Sequence, residues 1–175
     1  MNYNPPYWFH KNIQFPDEEI NQVSENLKKI SKELLVRKYP MLSSYYFKMH
    51  QRPDKIWQKK YSDIVKDITK EVGLYSLCRY EFEYWSQYYL RNTGHPAHCH
   101  FDPSHLSFVH ILKSPEKLFT FTDTVGNTFV PPEQNNGDLF VFPSWVFHEV
   151  KPNESGEERF VVAGNITITD MSLTK

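Results

Sequence analysis

The chain of 175 residues is poor in cysteine, in net charge and in long apolar runs. It has only two cysteines, Cys78 and Cys99. So few cysteines cannot form a disulfide framework, and we expect both thiols to be reduced. A net charge of −1 argues against a general binder of polyanions. The sequence shows no apolar run of about 18 residues and no secretory signal. We therefore expect a cytoplasmic protein that binds neither nucleic acid nor membrane.

Aromatic residues, in contrast, are abundant: the chain has 4 Trp, 11 Tyr and 13 Phe. They concentrate in the C-terminal part, where aromatic and β-branched side chains suit a pleated, half-buried sheet surface. The N-terminal part, about residues 1–75, has helical spacing, and residues 76–170 have strand character. The length lies within the range of one domain, so we expect residues 1–175 to form a single domain.

Two helices are predicted before residue 75. After Asp17, a candidate N-cap, apolar residues recur at helical spacing: Ile20, Val23, Leu27, Ile30 and Leu34. Pro40 should end this helix. A second helix is predicted from Pro53 to Val72, with Gly73 as its C-terminal stop. Each helix has one apolar face, so both should pack on the outside of a sheet.

The remaining chain predicts about eight short strands separated by turn-forming residues. The strands are expected within residues 80–84, 86–91, 97–102, 106–112, 117–122, 128–130, 139–142, 146–151 and 159–169. Many short strands of this kind are typical of a jelly roll. We therefore predict a mainly β fold with N-terminal helices, namely a double-stranded β-helix of the cupin-like type.

Two ligand types, imidazole and carboxylate, stand two residues apart at His100 and Asp102. Side chains in an extended segment alternate with period two, so both point to one face. His148, on a later strand, can supply a third ligand. Two histidines and one carboxylate form the facial triad that holds Fe(II) and leaves three positions open. His98 lies on the same face and could replace one ligand, but we predict that it lines the cavity or forms a hydrogen bond that supports the ligands.

The order of these residues resembles the Fe(II)/2-oxoglutarate dioxygenases. The resemblance covers about residues 85–169 and is strongest to small proteins related to prolyl 4-hydroxylases. It rests on three groups: Gly94 with His100, Asp102 and Pro103; Phe142-Pro143-Ser144-Trp145 with His148; and Gly156 with Arg159. It implies Fe(II) as the cofactor, with 2-oxoglutarate and O2 as co-substrates. It also implies hydroxylation of a C–H bond with release of succinate and CO2, on a prolyl, other peptide or small-molecule substrate.

Three residues are predicted to bind 2-oxoglutarate. Arg159 can pair bidentately with the distal carboxylate. Tyr88 and Tyr89 precede the His-x-Asp pair, and we favour Tyr89. Asn165 lies six positions after Arg159, hence on the same strand face. The alternative for Arg159 is an ion pair with Glu157 or Glu158 at a strand edge.

A hairpin was also expected to place Arg159 near the metal ligands. If residues 146–151 pair with residues 159–162, His148 lies opposite Val161 and Arg159 falls on the same face.

Two other functions remain open from the sequence. A cupin-type metal-dependent enzyme is suggested by Gly137-x5-Pro143 with His148, and by the pair His98 and His100. This sequence lacks the glutamate that the cupin pattern has after three or four intervening residues beyond His100, because Ser104 and His105 stand there. A metal-free jelly-roll binding protein would require the three ligand positions to coincide by chance.

Overall fold

The computed structural model describes residues 6–32, 41–74, 78–100, 103–123 and 125–171. Within these ranges two α-helices and ten β-strands are present. The helices are α1 (Asp17–Ile30) and α2 (Gln58–Glu71). The strands are β1 (Trp8–Asn12), β2 (Met41–Ser43), β3 (Cys78–Tyr89), β4 (His95–His98), β5 (Leu106–Lys113), β6 (Phe119–Thr122), β7 (Thr128–Phe129), β8 (Asp138–Pro143), β9 (His148–Val150) and β10 (Arg159–Met171).

The strands form two antiparallel sheets. The larger sheet has the order β1-β8-β5-β10-β3-β2, and the smaller has the order β4-β9-β6-β7. From β3 to β6, and again from β7 to β10, successive strands alternate between the two sheets, as in a jelly roll. The predicted mainly β, double-stranded β-helix fold is confirmed. Strands β1 and β2, at the two edges of the large sheet, were not predicted from the sequence.

Both predicted helices are present, but α1 ends at Ile30 with Ser31 as its C-cap, earlier than the predicted stop at Pro40, and its N-cap also differs. Pro16 occupies the N-cap position of α1 and makes no side-chain cap, so the prediction of Asp17 as N-cap was wrong by one residue. Asp17 instead lies in the first turn, where an acidic side chain favours the helix dipole. The predicted second helix consists of a 3-10 segment, Pro53–Trp57, followed by α2. Gly73 has a φ of 74°, which suits its predicted role as the stop. Pro40 lies outside the described residues.

The large sheet separates two hydrophobic cores. On its outer face the helices contribute Leu27, Trp57 and Tyr61, which pack with Tyr84 and Phe160 of the sheet. This confirms that the helices cover the outside of a sheet. On its inner face a second core is shared between the sheets, and it contains Tyr89, Phe119, Phe121, Phe142 and Val161. Residues 160 and 161 therefore face opposite cores, as strand alternation requires.

The predicted hairpin between residues 146–151 and 159–162 is wrong. Strand β9 pairs with β4 and β6 in the small sheet, whereas β10 pairs with β3 and β5 in the large sheet. His148 is opposite His98 and Phe121, and Val161 is opposite Gln87 and Ile111. The chain crosses between the sheets after β9. His148 and Arg159 consequently approach the same cavity from opposite walls.

Within the described ranges, no helix combines the length and the apolar character needed to cross a membrane.

One buried histidine belongs to the fold and lies away from the cavity. His110 is fully buried, and its Nδ1 lies 2.9 Å from the Tyr61 hydroxyl while its Nε2 lies 2.8 Å from the Ile13 carbonyl oxygen. A carbonyl can only accept, so Nε2–H donates to Ile13 and Nδ1 accepts from Tyr61. Burial lowers the pKa of His110 to about 4, so the ring is neutral at pH 7.

We expect His110 to make the folded protein sensitive to mild acid. His110 is protonated near pH 6.5 in the unfolded chain but only near pH 4 in the folded chain. Its contribution to the free energy of unfolding is therefore fully present above pH 6.5 and is lost as the pH falls from 6.5 to 4. The contribution at stake is about 3 kcal/mol. Urea unfolding at pH 7.5 and pH 4.5 should therefore show a larger loss for the wild type than for His110→Gln. Equal losses in the two proteins would contradict this assignment.

Candidate active site

A cavity of about 490 Å³ opens between the two sheets. Its walls come from β2, β3, β4, β5, β6, β9 and β10, together with the segments that follow β2 and β4. Every described residue that the sequence proposed for the site lines this cavity: His98, His100, His148, Arg159, Tyr89 and Asn165.

Three histidines converge on the small-sheet side of the cavity. His98, His100 and His148 each offer one ring nitrogen, and these nitrogens all lie within 4.8 Å of one another. His98 lies directly across from His148 in the β4–β9 pair, and their ring centroids are 4.3 Å apart. Neutral imidazole nitrogens are common ligands of iron and other transition metals, so this cluster can hold a metal ion.

Hydrogen bonds fix the orientation of two of these rings. Nδ1 of His148 lies 3.0 Å from the Val146 carbonyl oxygen, and Nδ1 of His98 lies 2.8 Å from that of Pro96. Each Nδ1–H therefore donates to a carbonyl, which leaves Nε2 with a free lone pair. This arrangement is the usual one for histidines that bind metals.

Burial also keeps the cluster uncharged. Desolvation, followed by the other histidines, lowers the pKa of His148 to about 3. Desolvation and His98 lower the pKa of His100 to about 4. Only a neutral imidazole can ligate a metal, so at pH 7 the cluster is in the form that binds.

Two backbone contacts hold this part of the chain in place. The N–H of His100 donates to the Ser144 carbonyl oxygen at 2.7 Å, which ties the end of β4 to the turn before β9. A Cβ on Gly94 would overlap the carbonyl oxygen of Val150, so only glycine allows β4 to approach β9 this closely. Asp102, the predicted carboxylate ligand, lies outside the described residues.

Arg159 lies at the closed end of the cavity. Its side chain is fully buried, and none of its three guanidinium nitrogens has a hydrogen-bond partner among the described residues. Glu158, which the alternative reading paired with Arg159, instead pairs with Lys28 at 2.5 Å and with Lys113 at 3.1 Å. Burial lowers the pKa of Arg159 from its ordinary value, yet guanidinium remains charged at neutral pH. Tyr89 partly stabilises this charge, but none of the described carboxylates pairs with it, and a buried cation without an anionic partner is costly, so this site favours an anion.

Tyr89, not Tyr88, faces the cavity. The guanidinium carbon of Arg159 lies 4.6 Å from the centre of the Tyr89 ring, which is opposite it in the β3–β10 pair. The Tyr89 hydroxyl donates to Oε1 of Gln87 at 3.2 Å. Tyr88 points to the other face, where Lys28 lies 4.4 Å from its ring centre. Tyr89 thus forms a flat wall beside the cationic end of the cavity.

Asn165 lies near the opposite end. Its Oδ1 accepts from the Ser107 hydroxyl at 2.8 Å, and its Nδ2 donates to Oε1 of Glu83 at 3.1 Å. Six residues of extended chain separate it from Arg159, roughly 20 Å along the strand. Its role in binding 2-oxoglutarate stays a prediction.

Several wall residues were missed from the sequence. Glu83, Trp85 and Gln87 line the cavity together with Tyr89. Strand alternation counted back from Tyr89 could have found them, because residues 83, 85, 87 and 89 share one face. Tyr45 and Tyr46 also line the cavity, but they follow β2 in a 3-10 turn that carries no periodic signal.

This jelly roll has converging histidines on one wall of the cavity and, on the other, a buried arginine without a hydrogen-bond partner among the described residues. Such a cavity can hold a metal ion beside an anionic ligand. Residues 88–165 match the family described as "Putative 2OG-Fe(II) oxygenase". The matched stretch covers 78 of the 175 residues and contains the three histidines and Arg159, so this cavity is similar to the site of oxygenases that use Fe(II), 2-oxoglutarate and O2. The cavity fits these groups, since its neutral histidines can ligate Fe(II) and the guanidinium of Arg159 can pair with a carboxylate of 2-oxoglutarate. The comparison with curated proteins found no match.

Solved structures share the fold over nearly the whole chain. A prolyl-4-hydroxylase from Pseudomonas putida has 16% identity, covers 93% of this chain and 92% of its own, and has a TM-score of 0.63. A prolyl hydroxylase from Trichoplax adhaerens, in complex with a hypoxia inducible factor peptide fragment, has 12% identity, coverages of 93% and 83%, and a TM-score of 0.64. AviO1 from Streptomyces viridochromogenes Tue57 has 8% identity, coverages of 95% and 91%, and a TM-score of 0.68. At these identities the likeness shows the fold alone.

Proposed function

We propose that this protein is a hydroxylase that couples oxidation of a substrate C–H bond to conversion of 2-oxoglutarate into succinate and CO2. The observation that carries the proposal is the unpaired, fully buried guanidinium of Arg159, in the same cavity as the histidine cluster. A metal-free binding protein has no need of both features. A cupin-type metal enzyme accounts for the histidines but gives no role to Arg159.

The proposed iron ligands are His100, Asp102 and His148. His98 competes with Asp102 for the third position, and its support is the convergence of its ring nitrogen with those of His100 and His148. The support for Asp102 is its spacing from His100 and its carboxylate, which completes the facial triad. In this proposal His98 packs against His148 and helps to exclude water from the ligand face.

The proposed reaction converts substrate, 2-oxoglutarate and O2 into hydroxylated substrate, succinate and CO2, and the bound iron supplies the O2 chemistry. Arg159 binds the distal carboxylate of 2-oxoglutarate through its guanidinium fork. Tyr89 lies flat beside this group and limits its movement. Val109, Phe119 and Val161 supply apolar walls that keep water from the reacting atoms.

The proposed substrate is a prolyl or other peptide side chain, or a small molecule of similar size. The support is the structural likeness to two prolyl hydroxylases, one of them solved with a peptide. Fold likeness does not fix a substrate, so this part of the proposal depends on assay. We also propose that residues 1–175 work as one catalytic domain.

Iron-dependent release of succinate tests the function and the ligand set together. The wild type, given Fe(II), 2-oxoglutarate and O2, should release succinate slowly even without a prime substrate. Asp102→Ala should reduce this release at least about 100-fold at limiting iron, because one of three ligands is lost, whereas His98→Ala should retain most of it. The reverse pattern would make the metal site a three-histidine site. No iron-dependent succinate from the wild type would contradict the proposed function itself.

A further inference from the structure

Facing side chains of β3 and β10 form a ladder along the cavity. Arg159 is opposite Tyr89, Val161 opposite Gln87, Ala163 opposite Trp85, and Asn165 opposite Glu83. The first pair is fully buried, whereas Glu83 is exposed. The ladder therefore runs from a closed cationic end, assigned to 2-oxoglutarate, to an open end. The open end is where a second substrate can enter.

The histidine cluster lies part-way along this ladder. The ring centroid of His100 is 6.1 Å from that of Trp85, and His100 also lines the cavity. Trp85 is two residues from Glu83, a separation of roughly 7 Å along a strand. Trp85 therefore lies between the histidine cluster and Glu83 on this wall of the cavity.

Aromatic rings form the wall beside this open end. Tyr45 and Tyr46 are 58% and 47% exposed, although both line the cavity. The Tyr45 ring packs edge-on against Trp85 with centroids 5.3 Å apart, and Tyr46 packs edge-on against Tyr45 at 5.8 Å. A contiguous exposed aromatic patch beside a cavity is typical of a ligand-binding groove. Together Tyr45, Tyr46 and Trp85 form what we call the aromatic wall.

A buried polar network holds the aromatic wall in position. The Asp54 carboxylate is fully buried and accepts from the Ser44 hydroxyl at 2.6 Å and from the Ser86 N–H at 2.8 Å. Arg52 donates to the same carboxylate through Nε at 3.1 Å. These bonds attach Ser44, the neighbour of Tyr45, to Ser86, the neighbour of Trp85. The rings are thus fixed before any substrate binds, which reduces the entropy lost on binding.

Glu83 adds a negative charge at the end of the aromatic wall. Asn165 donates to its Oε1, and Ser107 in turn fixes the Asn165 amide. Within the described part of the chain, no lysine or arginine forms an ion pair with Glu83. Among the described residues that line the cavity, Arg159 at the closed end is the one cationic side chain, since the histidines are neutral. The open end of the cavity therefore attracts cations.

We propose that the prime substrate carries a basic side chain, of the lysine or arginine type, whose aliphatic stem lies along the aromatic wall and whose cation pairs with Glu83. Aromatic faces attract cations, and a carboxylate adds a charge-assisted hydrogen bond. The stem would then pass the iron ligands, so the hydroxylated C–H belongs to that stem. This inference rests on the proposed hydroxylase function for its reaction, but its binding step does not require iron.

Calorimetric binding of matched probes tests the inference. Nα-acetyl-lysine methylamide carries the cation, and Nα-acetyl-norleucine methylamide has a neutral stem of similar length. The wild type, with and without Mn(II) and 2-oxoglutarate, should bind the lysine probe at least about tenfold more tightly than the norleucine probe. Glu83→Gln should remove this preference, and Tyr45→Ala should weaken binding of both probes. Free L-lysine in place of the capped probe distinguishes an amino acid from a residue within a peptide.

Glu81→Gln is the matched control, because Glu81 is an exposed carboxylate on the same strand that does not line the cavity. It should keep the preference for the lysine probe. Equal affinity of the wild type for the two probes, or a preference that survives Glu83→Gln, would overturn the inference. If iron-dependent succinate release is seen in that case, the hydroxylase proposal stands without it. Selective binding without any succinate release would instead contradict the hydroxylase proposal and keep the binding site.

Discussion

His148→Ala is expected to abolish iron-dependent turnover and to weaken Fe(II) binding by roughly two orders of magnitude or more. His148 is common to both candidate ligand sets, and it is the most buried of the three converging histidines. Its Nδ1 already donates to the Val146 carbonyl oxygen, so its Nε2 is oriented for a metal. Alanine removes the ligand, and a neighbouring ring cannot move into its place because Phe142 and Phe119 pack around it.

The matched control for this variant is His50→Ala, since His50 is an exposed histidine outside the cluster. Fe(II) affinity can be measured by anaerobic titration, and folding by circular dichroism. His50→Ala should behave as the wild type does. Full Fe(II) affinity in a folded His148→Ala protein would place the metal elsewhere and remove the basis of the site.

Replacement of Arg159 is expected to separate co-substrate binding from metal binding. Arg159→Met should leave Fe(II) affinity nearly unchanged and raise the apparent 2-oxoglutarate constant by roughly one to three orders of magnitude. The reason is that a bidentate charge-assisted contact in a desolvated pocket contributes about 2–4 kcal/mol. Arg159→Lys should fall between the two, because it keeps the charge and loses the fork. Succinate release with 2-oxoglutarate varied at saturating iron gives these constants.

Arg159→Met, although it should weaken 2-oxoglutarate binding, is not expected to destabilise the folded protein. In the absence of 2-oxoglutarate the buried guanidinium has no hydrogen-bond partner among the described residues, so methionine removes an uncompensated charge. The free energy of unfolding of Arg159→Met, measured in urea without co-substrate, should not fall below that of the wild type. Arg79→Met, at an exposed arginine on β3, is the control for the substitution. A clear loss of stability in Arg159→Met alone would mean that Arg159 has a structural role.

Local patterns in the sequence predicted the position of most helices and strands. Helical spacing located both helices, and alternation located the strands around the cavity. Strand pairing was not readable in the same way, because a jelly roll places successive strands in different sheets. The hairpin of β9 with β10 failed for this reason. The hairpin prediction correctly placed His148 and Arg159 near each other but for the wrong reason, because the two residues face each other across the cavity from different sheets.

The site was predictable only where a residue carries a distinctive chemistry at a distinctive spacing. His100, His148 and the arginine eleven residues after His148 meet that condition. Tyr45 and Tyr46 do not, because aromatic residues are common in this chain and these two follow a three-residue strand. Their position depends on the buried Asp54 carboxylate, and no local pattern indicates which backbone N–H that carboxylate will meet.

The most direct test of the account is the joint binding of Fe(II) and 2-oxoglutarate. In an anaerobic titration of the wild type, the weak visible charge-transfer band of the chelate should appear only when both are present. The band should be absent in His148→Ala, and in Arg159→Met it should require far more 2-oxoglutarate. A wild-type protein that binds Fe(II) but develops no such band at saturating 2-oxoglutarate would contradict the assignment of this cavity to an Fe(II)/2-oxoglutarate centre.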